Sequence, residues 1–291
     1  MPEEGVPRPL REDLEGLGPE PSAVLDGARD LGLATRYVGR TVHHLRSVDS
    51  TSNVLRSLAA DGAAAGTVVL ADEQDAGRGR TGRKWYSPDG LGVWMSVLLR
   101  SEMSAERLAP LSIAAAVSLA EALRILAGLN VRVKWPNDLL VDGRKLGGLL
   151  VESAQMAGES VQSAVLGIGL NVGLDESDLP PELVGVATSL RIELGRSVTR
   201  LEVLRATLPA LEECFDRFER EGIAGFRERW RGLSSTLGRE VTITPGAAAG
   251  SAVSGTVTDL SESGALVLED AEGGRQDIWF GDITLRHVEA D

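Results

Sequence analysis

Apolar residues in the middle of the chain recur at two spacings, one typical of strands and one typical of helices. Short apolar runs at residues 67–71 and 92–99 predict strands. Leucines and alanines recur at steps of three or four across residues 105–127, which predicts one helix with a single face toward a core. The two patterns alternate from residue 41 to about residue 234, so we expect an α/β or α+β domain there.

A second apolar helical stripe runs from Leu201 to Phe218, and Pro209 is expected to kink this helix. After this helix the pattern of the chain changes. From Gly238 onward, short strand-like segments are separated by Gly, Ser and Asp turns, at residues 240–243, 252–259, 265–268 and 275–280. Short strands in regular succession predict a small β-barrel.

The first residues of the chain are rich in proline, glycine and acids, apart from a helix-like run at residues 23–31. We therefore expect three regions: a loosely ordered lead-in over residues 1–37, a large domain over residues 38–236 and the small barrel over residues 237–291. A lead-in of this length is too short for a winged-helix domain, so we expect no DNA-binding domain ahead of the large domain.

Composition narrows the function further. The chain has 291 residues and a formal net charge of −13, which repels nucleic acid, because nucleic-acid binding needs Lys and Arg to replace phosphate counterions. Cys214 has no cysteine partner, and only three histidines (His43, His44 and His287) argue against a protein-built zinc site. The apolar stretches are strand-sized and no leader pattern opens the chain, so we expect no membrane span and a cytoplasmic protein.

Against this acidic background, a basic loop stands out at residues 77–85, with the sequence Gly-Arg-Gly-Arg-Thr-Gly-Arg-Lys-Trp. Glycines let the backbone approach a ligand, and closely spaced guanidinium groups bind carboxylate and phosphate. Trp85, directly after the basic cluster, is suited to covering an aromatic ring or closing the loop over a ligand. A solvated basic turn is the alternative, and the tryptophan favours a ligand loop.

Alternation in the next motif predicts a strand, with Val131, Val133 and Trp135 on one face and Arg132 and Lys134 on the other. Pro136 ends this strand, and the Asn-Asp pair that follows falls at a turn, where ligand-binding side chains often lie. An ordinary hairpin turn explains the same residues, and the two interpretations are compatible.

Two glycine-containing strands follow. Lys145 begins one of them, just before Gly147 and Gly148, so its ammonium is expected beside bare backbone; taken alone this is weak, since such a lysine is usually solvated. Residues 167–171 have the sequence Gly-Ile-Gly-Leu-Asn, and glycines inside a strand usually mark a close approach to the backbone.

Taken together and in this order, these motifs resemble the bacterial biotin protein ligases. The motifs that carry the resemblance are Asp49-Ser50-Thr51, the basic loop, Lys134-Trp135-Pro136-Asn137-Asp138, Lys145 with Gly147-Gly148, and Gly167-Ile168-Gly169-Leu170-Asn171. The resemblance implies an α+β fold, namely a mixed-sheet catalytic domain of the biotin/lipoate ligase type, class II synthetase-like, with a small C-terminal SH3-like β-barrel. It also implies a ligase that joins biotin to ATP as biotinyl-5′-AMP and then transfers biotin to a carrier lysine.

The resemblance also assigns residues to roles. Lys145 and Arg80 match the catalytic positions, which bridge or neutralise the carboxylate and the α-phosphate. The positions that match biotin-binding residues are Ser50, Thr51, Ser52, Gln74, Arg78, Gly79, Arg80, Lys145 and Gly148. The positions that match ATP-binding residues are Arg83, Trp85, Lys134, Asn137, Asp138 and Asn171. No metal is expected to be held by the protein alone, and Mg²⁺ is expected to arrive with ATP.

The resemblance implies further properties of the protein. The implied partner is a biotin carboxyl carrier protein domain of an acyl-CoA carboxylase, with no nucleic acid and no membrane, and the protein is implied to be a monomer or a homodimer. The basic loop is expected to be mobile without ligand. The usual Ser-Thr-Asn reads Ser50-Thr51-Ser52 here, with Asn53 one position later, which leaves the role of the third residue open.

Three other functions compete with the biotin ligase. One is an adenylate-binding module that has lost catalysis, and the presence of both Arg80 and Lys145 argues against it. Lipoate protein ligase has a related fold, but a lipoyl pocket would be mainly apolar, and Ser50, Thr51 and Gln74 favour a polar ring. A biotin-sensing DNA-binding regulator is disfavoured by the acidic charge and the short lead-in.

Overall fold

The chain folds around two sheets, and the computed structural model describes residues 23–157, 160–244, 251–279 and 281–285. The strands and helices, in chain order, are β1 (Ala23–Asp26), β2 (Thr41–Val48), α1 (Thr51–Ala60), β3 (Val68–Gln74), β4 (Gly92–Arg100), α2 (Ala105–Leu108), α3 (Leu111–Ala127), β5 (Arg132–Lys134), β6 (Asp138–Val141), β7 (Arg144–Ala157), β8 (Ser160–Asn171), α4 (Leu190–Leu194), α5 (Arg200–Glu221), α6 (Arg227–Leu233), β9 (Glu240–Thr244), β10 (Val253–Leu260), β11 (Leu266–Glu269), β12 (Arg275–Ile278) and β13 (Asp282–Leu285).

The large sheet is mixed. Its strand order is β1-β2-β3-β4-β8-β7-β6-β5. Strands β2 and β3 are parallel, joined by the crossover helix α1, and the other neighbouring pairs are antiparallel. A mixed sheet with a small all-β domain confirms the predicted α+β fold class, and the predicted domain boundaries stay predictions.

Helices cover both faces of this sheet, because alternate residues of each strand point to opposite sides. On one face, Leu55 and Ala59 of α1 pack against Val69, Leu98 and Val165. On the other face, α3 and α5 bury the larger core, which confirms the two apolar stripes predicted from the sequence. Helix α5 continues across Pro209.

The N-terminal segment differs from the prediction. The helix-like run at residues 23–31 forms strand β1, which pairs antiparallel with β2, followed by a turn. Leu31 and Leu33 are buried in the main core, at 1% and 4% exposure. The prediction of a loose lead-in is therefore wrong for residues 23–37, and the rest of that segment lies outside the described residues.

The helix predicted over residues 105–127 is divided in two at Pro110. Proline cannot donate to an earlier carbonyl, so α2 ends before it and α3 begins after it, with the Pro110 carbonyl accepting from the backbone N–H of Ile113. Contrary to the expectation from strand-sized runs, the stretch Ala105–Ala127 is long and apolar enough to cross a membrane by length and composition. Most of it is buried within the fold, as in the core helix of a globular domain.

The C-terminal sheet has the order β12-β11-β10-β9-β13 and is antiparallel throughout. Strands β9 to β12 were predicted, whereas β13 was not. Hydrogen bonds at two places hold this sheet against the large sheet and its helices. Asp259 of β10 accepts hydrogen bonds from Arg227 and Arg231 of α6, and the Trp135 indole donates to the Gly264 carbonyl over 3.3 Å. The Asp259 pKa is lowered to about 2, mainly by the Arg231 hydrogen bond.

Glu212 of α5 holds the segment that leads into β2. Its buried carboxylate accepts the backbone N–H groups of Arg36, Tyr37 and Val38 over 2.7–3.0 Å. Burial opposes ionisation of Glu212, but these three backbone hydrogen bonds outweigh it and lower its pKa.

We expect Glu212→Gln to lower the free energy of unfolding at pH 7 by about 1–3 kcal/mol, because an amide oxygen cannot replace a carboxylate on three donors. Since the folded pKa is below the unfolded one, the contribution of Glu212 is present above the unfolded pKa and is lost as the pH falls through the folded value. The difference between the two proteins should therefore shrink below about pH 4. Urea titrations at several pH values measure this, with the exposed Glu213→Gln as the control; a pH-independent difference would contradict it.

Candidate active site

One cavity of about 370 Å³ brings the predicted site residues together. The residues that were assigned roles from the sequence and that line this cavity are Ser50, Thr51, Ser52, Gln74, Arg78, Gly79, Arg80, Arg83, Trp85, Lys134, Asn137, Asp138, Lys145, Gly148 and Asn171. Every predicted site residue is in this set. The cavity lies over the middle of the large sheet, at the ends of β3, β5 and β8, and C-terminal residues Gly281 and Ile283 form part of its wall.

The cavity is basic in an acidic protein. Among the described residues that line it, six are cationic and one, Asp138, is anionic; the cationic residues are Arg78, Arg80, Arg83, Lys84, Lys134 and Lys145. The whole sequence contains only three lysines, and all three are in this set. Cations concentrated in a concave site attract anionic ligands despite the net charge of −13.

The basic loop is a tight hairpin. Arg78 bridges antiparallel to Lys84, and the Gly79 N–H donates to the Arg83 carbonyl over 2.7 Å. At its tip, Thr81 and Gly82 have φ values of 56° and 76°, a left-handed conformation that favours glycine at the second position. The hairpin directs several cations toward one cavity, and its predicted mobility without ligand stays a prediction.

Two loop arginines are held by residues outside the loop. The Arg78 guanidinium lies 3.4 Å from Glu152 of β7, and the same carboxylate lies 2.6 Å from Arg56 of α1. Arg80 donates to the Gly281 carbonyl over 3.5 Å. Glu152 was not predicted as a site residue, although it ends the glycine-containing segment that follows Lys145.

Lys145 lies near the start of β7, as its position in the motif predicts. Its Nζ lies 2.7 Å from Asp138 Oδ1 and 5.1 Å from the centre of the Trp85 ring. Its backbone N–H donates to the Val186 carbonyl, and its own carbonyl accepts from the Thr188 N–H. The ammonium is therefore held at the cavity by both strand pairing and a carboxylate.

The strand glycines form a bare floor, and the aromatic side chain lies on it. A Cβ atom at Gly169 would lie 2.5 Å from Trp85 Cε2, and one at Gly148 would lie 3.2 Å from Trp85 Cζ3. This confirms the prediction that strand glycines mark a close approach to the backbone. The Trp85 Nε1 atom is buried without a hydrogen-bond partner, which is a cost to this placement of the ring.

Hydroxyl groups line the opposite end of the cavity. Gln74 Oε1 accepts from the backbone N–H and the hydroxyl of Thr51, over 3.0 and 3.1 Å. Ser96, fully buried beneath them in β4, lies 2.8 Å from Thr51 Oγ1 and 3.1 Å from Ser52 Oγ. Ser96 was missed, although a single serine inside the apolar strand 92–100 was a visible signal.

The displaced asparagine does not take the third place of the Ser-Thr-Asn motif. The Asn53 amide donates to Asp49 and its carbonyl oxygen accepts from Arg56, whereas Ser52 lines the cavity. The structure therefore places Ser52 at the position in question.

The two predicted asparagines use their amide groups to hold backbone. Asn137 donates to the Leu149 carbonyl, and Asn171 donates to the Thr188 carbonyl over 2.8 Å. Both side chains are buried. Each amide nitrogen therefore fixes the segments that carry the cationic residues.

An apolar wall closes one side of the cavity and was also missed. It comes from the segment after β8, through Leu174, Leu179, Leu183 and Ala187. Leucines spaced four or five apart in an otherwise polar loop were its signal. Nothing local in the sequence pointed to Gly281 and Ile283, because only the packing of the two sheets brings them here.

Two family models match the chain. The Biotin/lipoate A/B protein ligase family matches residues 44–171, and the Biotin protein ligase C terminal domain matches residues 236–286. The first covers the strands and loops that build the cavity, and the second covers the C-terminal sheet.

Relatives and solved structures agree with these matches. The biotin–[acetyl-CoA-carboxylase] ligase of Paracoccus denitrificans is 34% identical over 81% of this chain and 99% of its own length. The bifunctional ligase/repressor of Bacillus subtilis is 32% identical over 91% of this chain and 80% of its own length. The biotin protein ligase of Aquifex aeolicus in complex with biotin and ATP is 29% identical, with a TM-score of 0.71 over 84% of this chain and 98% of that one. On the strength of these matches, this chain belongs to the biotin protein ligase family.

Proposed function

We propose that this chain activates biotin with ATP in the basic cavity and transfers the biotinyl group to a lysine of a biotin carboxyl carrier domain. The observation that carries the proposal is the convergence of six cationic side chains and a hydroxyl-lined end in one cavity. The first step joins the biotin carboxylate to the ATP α-phosphate and releases pyrophosphate. The second step is attack of the carrier lysine on the mixed anhydride, which releases AMP.

The cationic side chains reduce the electrostatic repulsion between the two substrates. A carboxylate must approach a polyphosphate, and like charges a few ångströms apart repel strongly where water is excluded. We assign Arg80 to neutralising the carboxylate and α-phosphate, and Lys145 to bridging them and stabilising charge in the transition state. Asp138, 2.7 Å from Lys145, holds the ammonium in place before substrates bind.

The biotin ring belongs at the hydroxyl-lined end. Ser50, Thr51, Ser52 and Gln74 supply hydrogen-bonding groups for the ureido ring, while Arg78, Gly79 and Gly148 line the route toward Lys145. This polar lining disfavours lipoate, whose dithiolane ring has no hydrogen-bonding groups.

ATP belongs on the other side of Lys145. Arg83, Lys134, Asn137, Asp138 and Asn171 are assigned to the nucleotide. Trp85 is assigned to covering the adenine ring or to closing the loop over the site. Mg²⁺ on ATP is usually held by one or two carboxylates beside the phosphates, and Asp138 is the carboxylate that the described cavity residues supply. Bound with ATP, the metal would neutralise phosphate charge.

The carrier domain is the proposed partner because the relatives' names refer to acetyl-CoA carboxylase. We also propose a cytoplasmic protein that acts as a monomer or a homodimer and binds neither nucleic acid nor membrane. A bifunctional relative also carries a repressor activity in its name, so a gel-shift with a biotin-operon promoter separates the ligase from the regulator.

The purified protein should catalyse biotin-dependent exchange of labelled pyrophosphate into ATP, since adenylate formation is reversible. Lipoate should support little or no exchange, because it cannot use the hydroxyl-lined end. Exchange with lipoate alone would identify the protein as a lipoate protein ligase. Exchange with neither substrate would indicate a regulator or a binding protein without catalysis.

Lys145→Ala should lower pyrophosphate exchange on the order of 100-fold or more and weaken biotin binding, because the charge beside the carboxylate is lost. Arg144→Ala is the matched control, since the neighbouring arginine pairs with Glu193 and does not line the cavity. Near-normal exchange by Lys145→Ala would remove Lys145 from the chemistry.

Arg80→Gly should release the adenylate more readily, because a cation that holds the mixed anhydride is lost. In a cell lysate supplied with biotin and ATP, this variant should biotinylate many proteins, whereas the wild type labels its carrier. The exposed Arg239→Gly is the control for loss of an arginine elsewhere. A labelling pattern identical to wild type would refute this role of Arg80.

A further inference from the structure

We propose that buried Ser96 is a positioning residue that fixes the hydrogen-bonding polarity of the hydroxyl-lined end, so that Thr51 and Ser52 face the ligand as acceptors. This inference rests on the proposed function, because it identifies what the biotin end of the cavity selects. Ser96 is fully buried and does not itself line the cavity.

The orientation of the Gln74 amide is fixed from both sides. The backbone N–H of Thr51 can only donate, and it lies 3.0 Å from Oε1, so that atom is the amide oxygen. On the other side, Nε2 donates to Ser87 Oγ over 3.1 Å, and the Ser87 hydroxyl donates to the Trp85 carbonyl, which can only accept. The two obligate groups agree on one orientation.

The hydroxyl protons follow from this orientation. Gln74 Oε1 carries no proton, so the Thr51 hydroxyl, 3.1 Å away, is the donor. Having used its only proton, Thr51 Oγ1 must accept from Ser96 over 2.8 Å, and Ser96 in turn must accept from Ser52 over 3.1 Å. The hydrogen bonds are therefore donated in one direction, from Ser52 to Ser96, from Ser96 to Thr51 and from Thr51 to Gln74. These four side chains form a hydrogen-bond relay.

The consequence is a wall that presents lone pairs. Thr51 and Ser52 line the cavity, but their protons point away from it into the relay. Such a wall accepts hydrogen bonds from N–H groups and repels ring oxygens or other acceptors. The ureido ring of biotin carries two N–H groups, so the relay selects a ligand ring with N–H donors.

Removing Ser96 should change this polarity at one place. The Thr51 hydroxyl still donates to Gln74, whereas the Ser52 hydroxyl loses its acceptor and can point its proton into the cavity. Ser96→Ala should therefore weaken biotin on the order of fivefold, the value of one net hydrogen bond, and leave kcat of adenylation nearly unchanged. Because the effect passes through Ser52, the double variant Ser52→Ala with Ser96→Ala should bind biotin no more weakly than Ser52→Ala alone.

The test uses isothermal titration with biotin and with its two cyclic carbamate analogues, in which an oxygen replaces one ureido N–H. Wild type should discriminate against at least one carbamate. In Ser96→Ala the ratio of carbamate to biotin Kd should fall at least fivefold, since Ser52 can now donate to the ring oxygen. Ser163→Ala, which removes a fully buried serine from the next strand, should leave the ratio unchanged.

Two results would overturn the relay and leave Ser96 as a packing residue. One is an unchanged ratio of carbamate to biotin Kd in Ser96→Ala, and the other is a double variant that binds biotin more weakly than Ser52→Ala. If Ser96→Ala does not fold, Ser52→Ala tests the same polarity outside the buried strand, because it should weaken biotin but not the discriminated carbamate. Biotin-dependent pyrophosphate exchange by wild type is run in parallel. Its absence would refute the proposed function, whereas exchange with an unchanged Kd ratio would refute only the relay.

Discussion

Repulsion between a carboxylate and a polyphosphate is the constraint on which the site depends. A chain with a net charge of −13 would strengthen that repulsion if its charges were spread evenly. Instead, cationic side chains from several segments meet in one cavity, and a separate contact holds each segment in place. Asp138 holds Lys145, Glu152 holds Arg78, and the C-terminal sheet offers the Gly281 carbonyl to Arg80. Such preorganised charges need little rearrangement when the reaction begins.

The C-terminal sheet helps to form the cavity. Asp259 accepts from two arginines of α6, and the Trp135 indole reaches the Gly264 carbonyl, so the sheet is fixed against the same segment that carries the cavity residues. Because Gly281 and Ile283 line the cavity, the position of one sheet relative to the other determines the shape of the site.

The fold class could be predicted because it depends on local patterns, whereas most of the cavity lining was predicted from the resemblance of five motifs to a known family. Alternating valines predicted β5, and glycines inside strands predicted a close approach that the Trp85 ring makes. The errors come from contacts between distant segments. Residues 23–31 fit a helical period, but pairing with β2 makes residues 23–26 a strand, and a turn follows it. The place of Ser96 beneath two hydroxyl groups depends on strand order. Asn53 is a different case. It lies one position after Ser52 in helix α1, so its amide faces Asp49 while Ser52 faces the cavity.

The distribution of lysine suits the chemistry of the reactive intermediate. Of the 30 basic residues only three are lysines, and all three line the cavity. An ammonium supplies a compact charge between carboxylate and phosphate, whereas a guanidinium stays protonated and is a poor nucleophile. The intermediate reacts with amines, so a lysine on the surrounding surface would compete with the carrier lysine. Arginine elsewhere supplies positive charge without that competition, and the Lys145 ammonium beside the cavity is paired with Asp138.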